Sequence, residues 1–253
     1  MTNHVLLNNV DHKDLRIITA RSAALGDNVM CAATFHQEFR NVQAHYPIFF
    51  RKEPGTSGFR PVAMFGFEEQ ENLFLKSDGW DATYIPLTIE RQPFLIGFQQ
   101  LRGDGGISRP VIHVNMDSPR ISQTEGELVF LQHGGLSEYL ERINSILHTI
   151  HNGFECDRAF VQALLELDLL ESFALDVELD NGVQHRLVGF YTINEERLNE
   201  LGGDALAALN SKGFLAPVYM AIASLSNIRA LIERKTARLQ LQSGRTDRAI
   251  SGR

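Results

Sequence analysis

From Leu136 the apolar positions fall at helical spacing. Leu136, Tyr139, Leu140, Ile143, Ile146, Leu147 and Ile150 share one face, the signature of an amphipathic helix. Ser137 is placed to cap its start and Gly153 reads as its stop. A second helix is predicted from about Asp157 to Leu170, with Phe160, Val161, Leu164 and Leu165 inward. The period then drops to two: Phe173, Leu175, Val177 and Leu179 alternate with Ala174, Asp176, Glu178 and Asp180. That pattern predicts a half-buried strand, a tight turn at Asn181-Gly182 and a returning strand from about Val183 to Ile193. Asn194 and Asp204 are expected to cap two short helices closed by Gly202-Gly203 and Gly213. A long helix is expected from Pro217 to about Leu241, with Val218, Tyr219, Ile222, Leu225, Ile228 and Ile232 on one face.

Upstream of this helical half the pattern differs. A loop around Gly26 and Asn28 leads to a helix expected near Ala33 to Gln43. Short β-type runs follow at Tyr46–Arg51, Pro61–Phe67, Tyr84–Arg91, Phe94–Gln99, Pro110–Met116 and Leu128–Leu131. They are punctuated by Pro54-Gly55, Asp78-Gly79, Asp104-Gly105-Gly106 and Ser118-Pro119. Pro47, Pro61, Pro86, Pro93 and Pro110 sit in or beside these runs, where a missing ladder donor favours edges, bulges or strand starts. The fold class is therefore α+β, an aromatic-rich, mainly antiparallel β region packed with a mainly helical region that contains a β-hairpin. With no repeat and no long linker, residues 1–253 read as one domain: a β-rich subregion at about 20–132, a helical subregion at about 136–241 and a disordered basic tail at about 242–253.

Composition narrows the classes. The 253 residues are 43% hydrophobic and 22% charged, ordinary for a globular chain. No uninterrupted apolar run approaches the ~18 residues of a membrane-spanning helix, so no span is expected. The residues from Met1 to Lys13 lack the apolar core of a secretory signal, which makes a cytoplasmic location the expectation. Cys31 and Cys156 show no CxxC spacing and read as two reduced, buried thiols. The formal net charge of −7 argues against a broad nucleic-acid surface. It divides unevenly, because Arg229 to Arg253 holds seven basic and two acidic residues, whereas Phe154 to Asp204 holds twelve acidic and three basic ones. The basic tail reads as a solvated terminal helix with a frayed end, and the sharper alternative is a handle for an anionic partner or membrane surface.

Candidate chemistry is sparse. The nine histidines lack metal-ligand spacing: His148 and His151 are not completed by a carboxylate or cysteine pattern, and His113 and Asp117 do not form HxD. No nucleophile elbow or thiol motif surrounds any Ser or Cys, and Gly103-Asp104-Gly105-Gly106 lacks the P-loop lysine. Neither metal nor cofactor is expected. The one suggestive constellation joins His45, Tyr46, Arg51, Trp80, Asp81, Tyr84 and Arg91. Aromatic faces and arginine forks of this kind hold a peptide or a planar acidic ligand by stacking and charge-assisted hydrogen bonds. The competing reading makes Trp80 and Tyr84 core residues, with Asp81 and Arg91 satisfying one another or a turn.

Several blocks identify a resemblance. His45-Tyr46-Pro47-Ile48-Phe49-Phe50-Arg51-Lys52, Met64-Phe65-Gly66-Phe67, Asn72-Leu73-Phe74-Leu75, Gly79-Trp80-Asp81-Ala82-Thr83-Tyr84-Ile85-Pro86 and Arg91-Gln92-Pro93-Phe94 come first. They are followed by Asp117-Ser118-Pro119-Arg120, Gly126-Glu127-Leu128-Val129-Phe130, Gly189-Phe190-Tyr191-Thr192-Ile193-Asn194-Glu195-Glu196-Arg197-Leu198 and Ser224-Leu225-Ser226-Asn227. In this order, from about His45 to Asn227, they resemble the bacterial SapC family. The resemblance implies an association with a surface layer, and a setting beside halogenase-like proteins, cupin-like oxygenases and TonB-dependent receptors. It brings no catalytic residues.

The expectation that follows is a noncatalytic binding or accessory protein that recognises a peptide or protein partner through the aromatic and arginine-rich β region. The alternatives are an enzyme or enzyme partner in a tailoring pathway, and a surface-layer-associated structural protein. The helix from Pro217, long and basic at its end, also offers a homodimer face.

Overall fold

A computed structural model describes residues 3–56, 58–100, 108–178 and 184–251. In chain order its strands are β1 His4–Leu6, β2 Arg16–Ile17, β3 Cys31–Ala33, β4 Ile48–Lys52, β5 Phe59–Met64, β6 Leu75–Lys76, β7 Gly79–Trp80, β8 Phe94–Gln100, β9 Ser108–Asn115, β10 Ile121–Ser122, β11 Glu127–Leu128, β12 Leu170–Glu178 and β13 Gln184–Ile193. Its helices are α1 Phe39–Val42, α2 Leu87–Glu90, α3 Glu138–Glu166, α4 Glu195–Asn199, α5 Gly203–Ser211, α6 Leu215–Ser224 and α7 Asn227–Ser251. The pairings within the three larger sheets are antiparallel, and the α+β class stands.

The chain forms two compact units, which cut across the β-rich and helical halves of the sequence. The first comprises Met1–Asp27, Ser77–Gly79 and Leu87–Asn152. It holds the sheets β1-β9-β8 and β10-β2-β11. Ile17, Phe94, Val114 and Val129, none of them more than 0% exposed, pack with Leu140, Ile143 and Leu147 from the predicted face of α3 as its core. Ser137 caps α3 as expected, its Oγ accepting from Leu140 N at 3.1 Å. Pro110 lies in β9 beyond the reach of β1, where no ladder donor is asked of it.

The second unit comprises Asn28–Lys76, Trp80–Pro86 and Gly153–Arg253. Its five-stranded sheet runs β12-β13-β4-β5-β3. Phe160 of α3 packs its ring against Phe39, Phe50 and Phe214 at centroid distances of 5.9, 6.4 and 5.4 Å. The β12–β13 hairpin is present, with its turn at Asn181-Gly182 outside the described residues. Its register shifts between Phe173 and Leu175, where Gly189 of β13 takes φ +84°, the conformation of a β-bulge glycine. Asn194 caps α4 by accepting from Arg197 N at 2.8 Å.

Several expectations are corrected. Gly202, not Asp204, takes the cap position of α5, and Asp204 lies in its first turn. The helix expected from Ala33 to Gln43 shrinks to α1, with Ala33 in β3. Gly153 does not end a helix, because α3 continues to Glu166 and absorbs the helix expected from Asp157. Glycine is needed there for closeness: a Cβ at 153 would lie 2.4 Å from the Phe35 ring. Tyr84–Arg91 is not a strand. Pro86 presets the backbone at the entry to α2, whose turn closes with Arg91 N donating to Leu87 O at 2.9 Å. The helix expected from Pro217 is two helices, α6 and α7, parted at Leu225–Ser226, and α7 continues past Leu241 to Ser251. Cys156 is exposed; Cys31 is half-buried, and both are free. By length and composition, Leu215–Leu241 also qualifies as a candidate membrane span with 28% of its apolar window buried.

Candidate functional site

Five of the seven candidate side chains come together in the second unit. Tyr46, at the foot of β4, is 0% exposed, and its ring meets Phe65, Phe74 and Trp80 at 5.2, 4.7 and 6.5 Å in edge-on contacts. Its hydroxyl accepts from Trp80 Nε1 at 2.8 Å and donates to Tyr84 O. Tyr84 in turn donates to Glu38 Oε1 at 2.8 Å, and Thr34 donates to Glu38 Oε2 at 2.6 Å. His45 Nε2 bonds Thr83 Oγ1 at 2.9 Å. Burial pushes the Tyr46 phenol far above its usual range, despite the indole donor that opposes the shift.

Asp81 stands at the rim. Its Oδ2 accepts from Arg234 of α7 at 2.5 Å and from Lys76 at 2.8 Å. Hydrogen bonds from Lys76 and Arg234 hold its carboxyl below the ordinary range. The Arg234 guanidinium lies 4.5 Å from the Phe74 ring centre, a cation–π contact. Two cations on one carboxylate leave a surplus positive charge beside the half-buried Trp80.

Arg51 and Arg91 are placed differently. Arg51 is exposed on β4, 5.8 Å from the Phe190 ring; burial raises the pKa of the Cys31 thiol, and the Arg51 charge lowers it to a lesser degree. Arg91 belongs to the first unit. It donates to Phe94 O, and burial lowers its pKa.

Sequence reading missed Glu38, Lys76 and Arg234. Arg234 belonged to the basic stretch read as solvated, yet it, Lys235 and Arg238 are turned inward. Lys235, 5% exposed, donates to Glu71 at 2.6 Å and Glu68 at 2.8 Å, and Arg238 donates to the carbonyls of Asn72 and Leu75 at 3.0 and 2.9 Å. Burial alone would lower the Lys235 pKa; the hydrogen bonds it donates to Glu68 and Glu71, with their negative charge, outweigh it and raise the value. The available signal was spacing: 234, 235 and 238 share a helix face with the apolar Leu231. Among the described residues no group of three or more His, Cys, Asp and Glu side chains could hold a metal ion.

These features define an antiparallel α+β protein in which an aromatic and ionic cluster is assembled from the β region and the last helix. More particularly, the chain belongs to the SapC family, whose model matches residues 7–231. No curated protein and no solved structure matches it.

Proposed function

We propose that this is a noncatalytic binding or accessory protein that recognises a peptide or protein partner through the cluster around Trp80. The observation that carries the reading is Asp81 shared by Lys76 and Arg234. One unbalanced cation beside half-buried Trp80, itself stacked on the buried Phe74 ring, suits an acidic side chain flanked by an apolar or aromatic one. A noncatalytic role is supported by how the phenols are used: the Tyr46 hydroxyl is engaged as donor and acceptor inside the cluster, and Tyr84 is held by Glu38. Affinity capture from the native host with the wild-type protein and with Trp80→Ala/Arg234→Gln tests it. A partner held by the first and lost by the second, folded variant is expected. Equal capture by both, or a measurable turnover with no specific partner, reverses the reading.

A second contact is favoured by α6, which carries no charged side chain and leaves Tyr219 52% exposed. An uncharged outward helix suits a homodimer face. Light scattering at high concentration is expected to show a dimer that Tyr219→Lys dissociates; a monomeric wild type removes this reading.

A further inference from the structure

Arg91 lines a pocket of about 350 Å³ in the first unit, together with Pro93, Leu95, Asn115, Asp117 and Pro119 among others. It differs from its neighbours Arg21 and Arg120, each of which holds the carboxylate of Asp27, at 3.2 and 2.6 Å, and donates to backbone carbonyls. Among the described residues Arg91 has no carboxylate partner. Its guanidinium makes one hydrogen bond among the described residues, to Phe94 O, which uses one of the group's five N–H donors. A desolvated cation whose fork is largely unused is complementary to an anion.

The pocket itself selects the anion. A lone guanidinium matches a single negative charge, and the two-pronged fork matches a carboxylate. Asp117 is exposed on the same lining, its Oδ2 accepting from Asn3 N at 2.8 Å. Its carboxylate opposes a dianion such as a phosphate ester more strongly than a monoanion. Pro93, Leu95 and Pro119 supply apolar wall, and the volume falls in the range of small-ligand clefts, roughly 300–1,000 Å³. We propose that this pocket binds a small monocarboxylic acid, its carboxylate on Arg91 and its apolar body against Pro93, Leu95 and Pro119. The inference stands apart from the partner reading, which concerns residues of the second unit.

Titration calorimetry of the full chain with benzoate and hexanoate, against benzamide, hexanol and inorganic phosphate, tests it. Saturable binding of the carboxylates alone is expected, weakened about tenfold or more in Arg91→Gln by loss of the charge-assisted pair. No saturable heat from either acid at millimolar concentration, equal binding of the amide, tighter binding of phosphate, or unchanged affinity in folded Arg91→Gln would overturn it. Asp117→Asn gives a second readout that does not depend on the folding of the Arg91 variant. Removing the like charge is expected to tighten benzoate severalfold, and an unchanged or weaker affinity overturns the placement.

Discussion

In the first unit two guanidinium groups, Arg21 and Arg120, converge on the carboxylate of Asp27, whereas in the second one ammonium, Lys235, is divided between Glu68 and Glu71. One arrangement has a surplus of positive charge and the other of negative charge. Each is offset by the backbone dipole of opposite sense. The arginines donate to the carbonyls of Ile18, Ala20 and Ile89, while Glu71 accepts from Phe67 N at 2.9 Å. Backbone groups thus complete what side-chain pairing leaves over, and the match is tighter in the second unit. In the first, Arg120 Nε is buried with no hydrogen-bond partner among the described residues. The comparison suggests that donor capacity is left over in the first unit, at Arg91 as well as Arg120, whereas the cluster of the second unit keeps its surplus charge at the rim.

The largest expected effects come from breaking each arrangement at its centre. Arg120→Leu removes the 2.6 Å guanidinium partner of the 0%-exposed Asp27 side chain, and Lys235→Leu removes the 2.6 Å ammonium partner of Glu71, 10% exposed at its side chain. Urea unfolding is expected to show a loss of about 3–5 kcal/mol for each. A loss under ~1 kcal/mol, the range of surface pairs, would show that either ion set is dispensable.

Gly153→Ala is next. It asks Phe35 to yield to a methyl group that would sit 2.4 Å from its ring, at an expected cost of about 1–3 kcal/mol by thermal or urea unfolding, typical of overpacking. A stabilised variant would contradict the close approach of helix and ring.

Tyr46→Phe follows, with an expected loss of about 1–2 kcal/mol because the Trp80 indole N–H and the Tyr84 carbonyl lose their shared partner. The same variant sharpens the comparison at high pH. Tyr46 in the second unit and Tyr139 in the first are both raised by burial, Tyr139 to about 12. A phenol raised in the folded state contributes stability that is fully present below its unfolded pKa, about 10, and is lost as pH rises through the folded value. Lys235, also raised, acts in the same direction. Wild-type stability is therefore expected to fall above about pH 10, and Tyr46→Phe to fall less steeply. Parallel curves would remove Tyr46 from the alkaline limb. Asp81 works at the opposite end: its lowered pKa contributes stability above the unfolded value near 4 that is lost as pH falls through the folded one, only slightly because the side chain is 35% exposed.

How legible this was depended on the range of the interactions involved. The face of α3 from Tyr139 to Ile150, the Ser137 and Asn194 caps and the β12–β13 hairpin follow from neighbours in sequence, and pattern alone locates them. Gly153 was misread because helical glycine and helix-ending glycine look alike until Phe35, distant in sequence, is placed against it. The grouping of Tyr46, Trp80, Asp81 and Tyr84 was legible because their blocks are dense in aromatic and polar residues. Their partners Glu38 and Arg234 were not, since an acid in a short helix and an arginine in a basic stretch reveal their direction only through tertiary packing. Arg91 was visible as a residue, but its place in the first unit was hidden by reading Tyr84–Arg91 as one strand.

The partner reading is tested most directly by Trp80 itself, the protein's single tryptophan, whose emission reports on the proposed surface without any label. Titration with pools of peptides pairing acidic and aromatic residues is expected to shift Trp80 emission saturably, with Arg234→Gln abolishing the response and lysine-rich pools giving none. Emission that stays unchanged across the acidic pools, or responds equally in folded Arg234→Gln, would contradict recognition through this cluster.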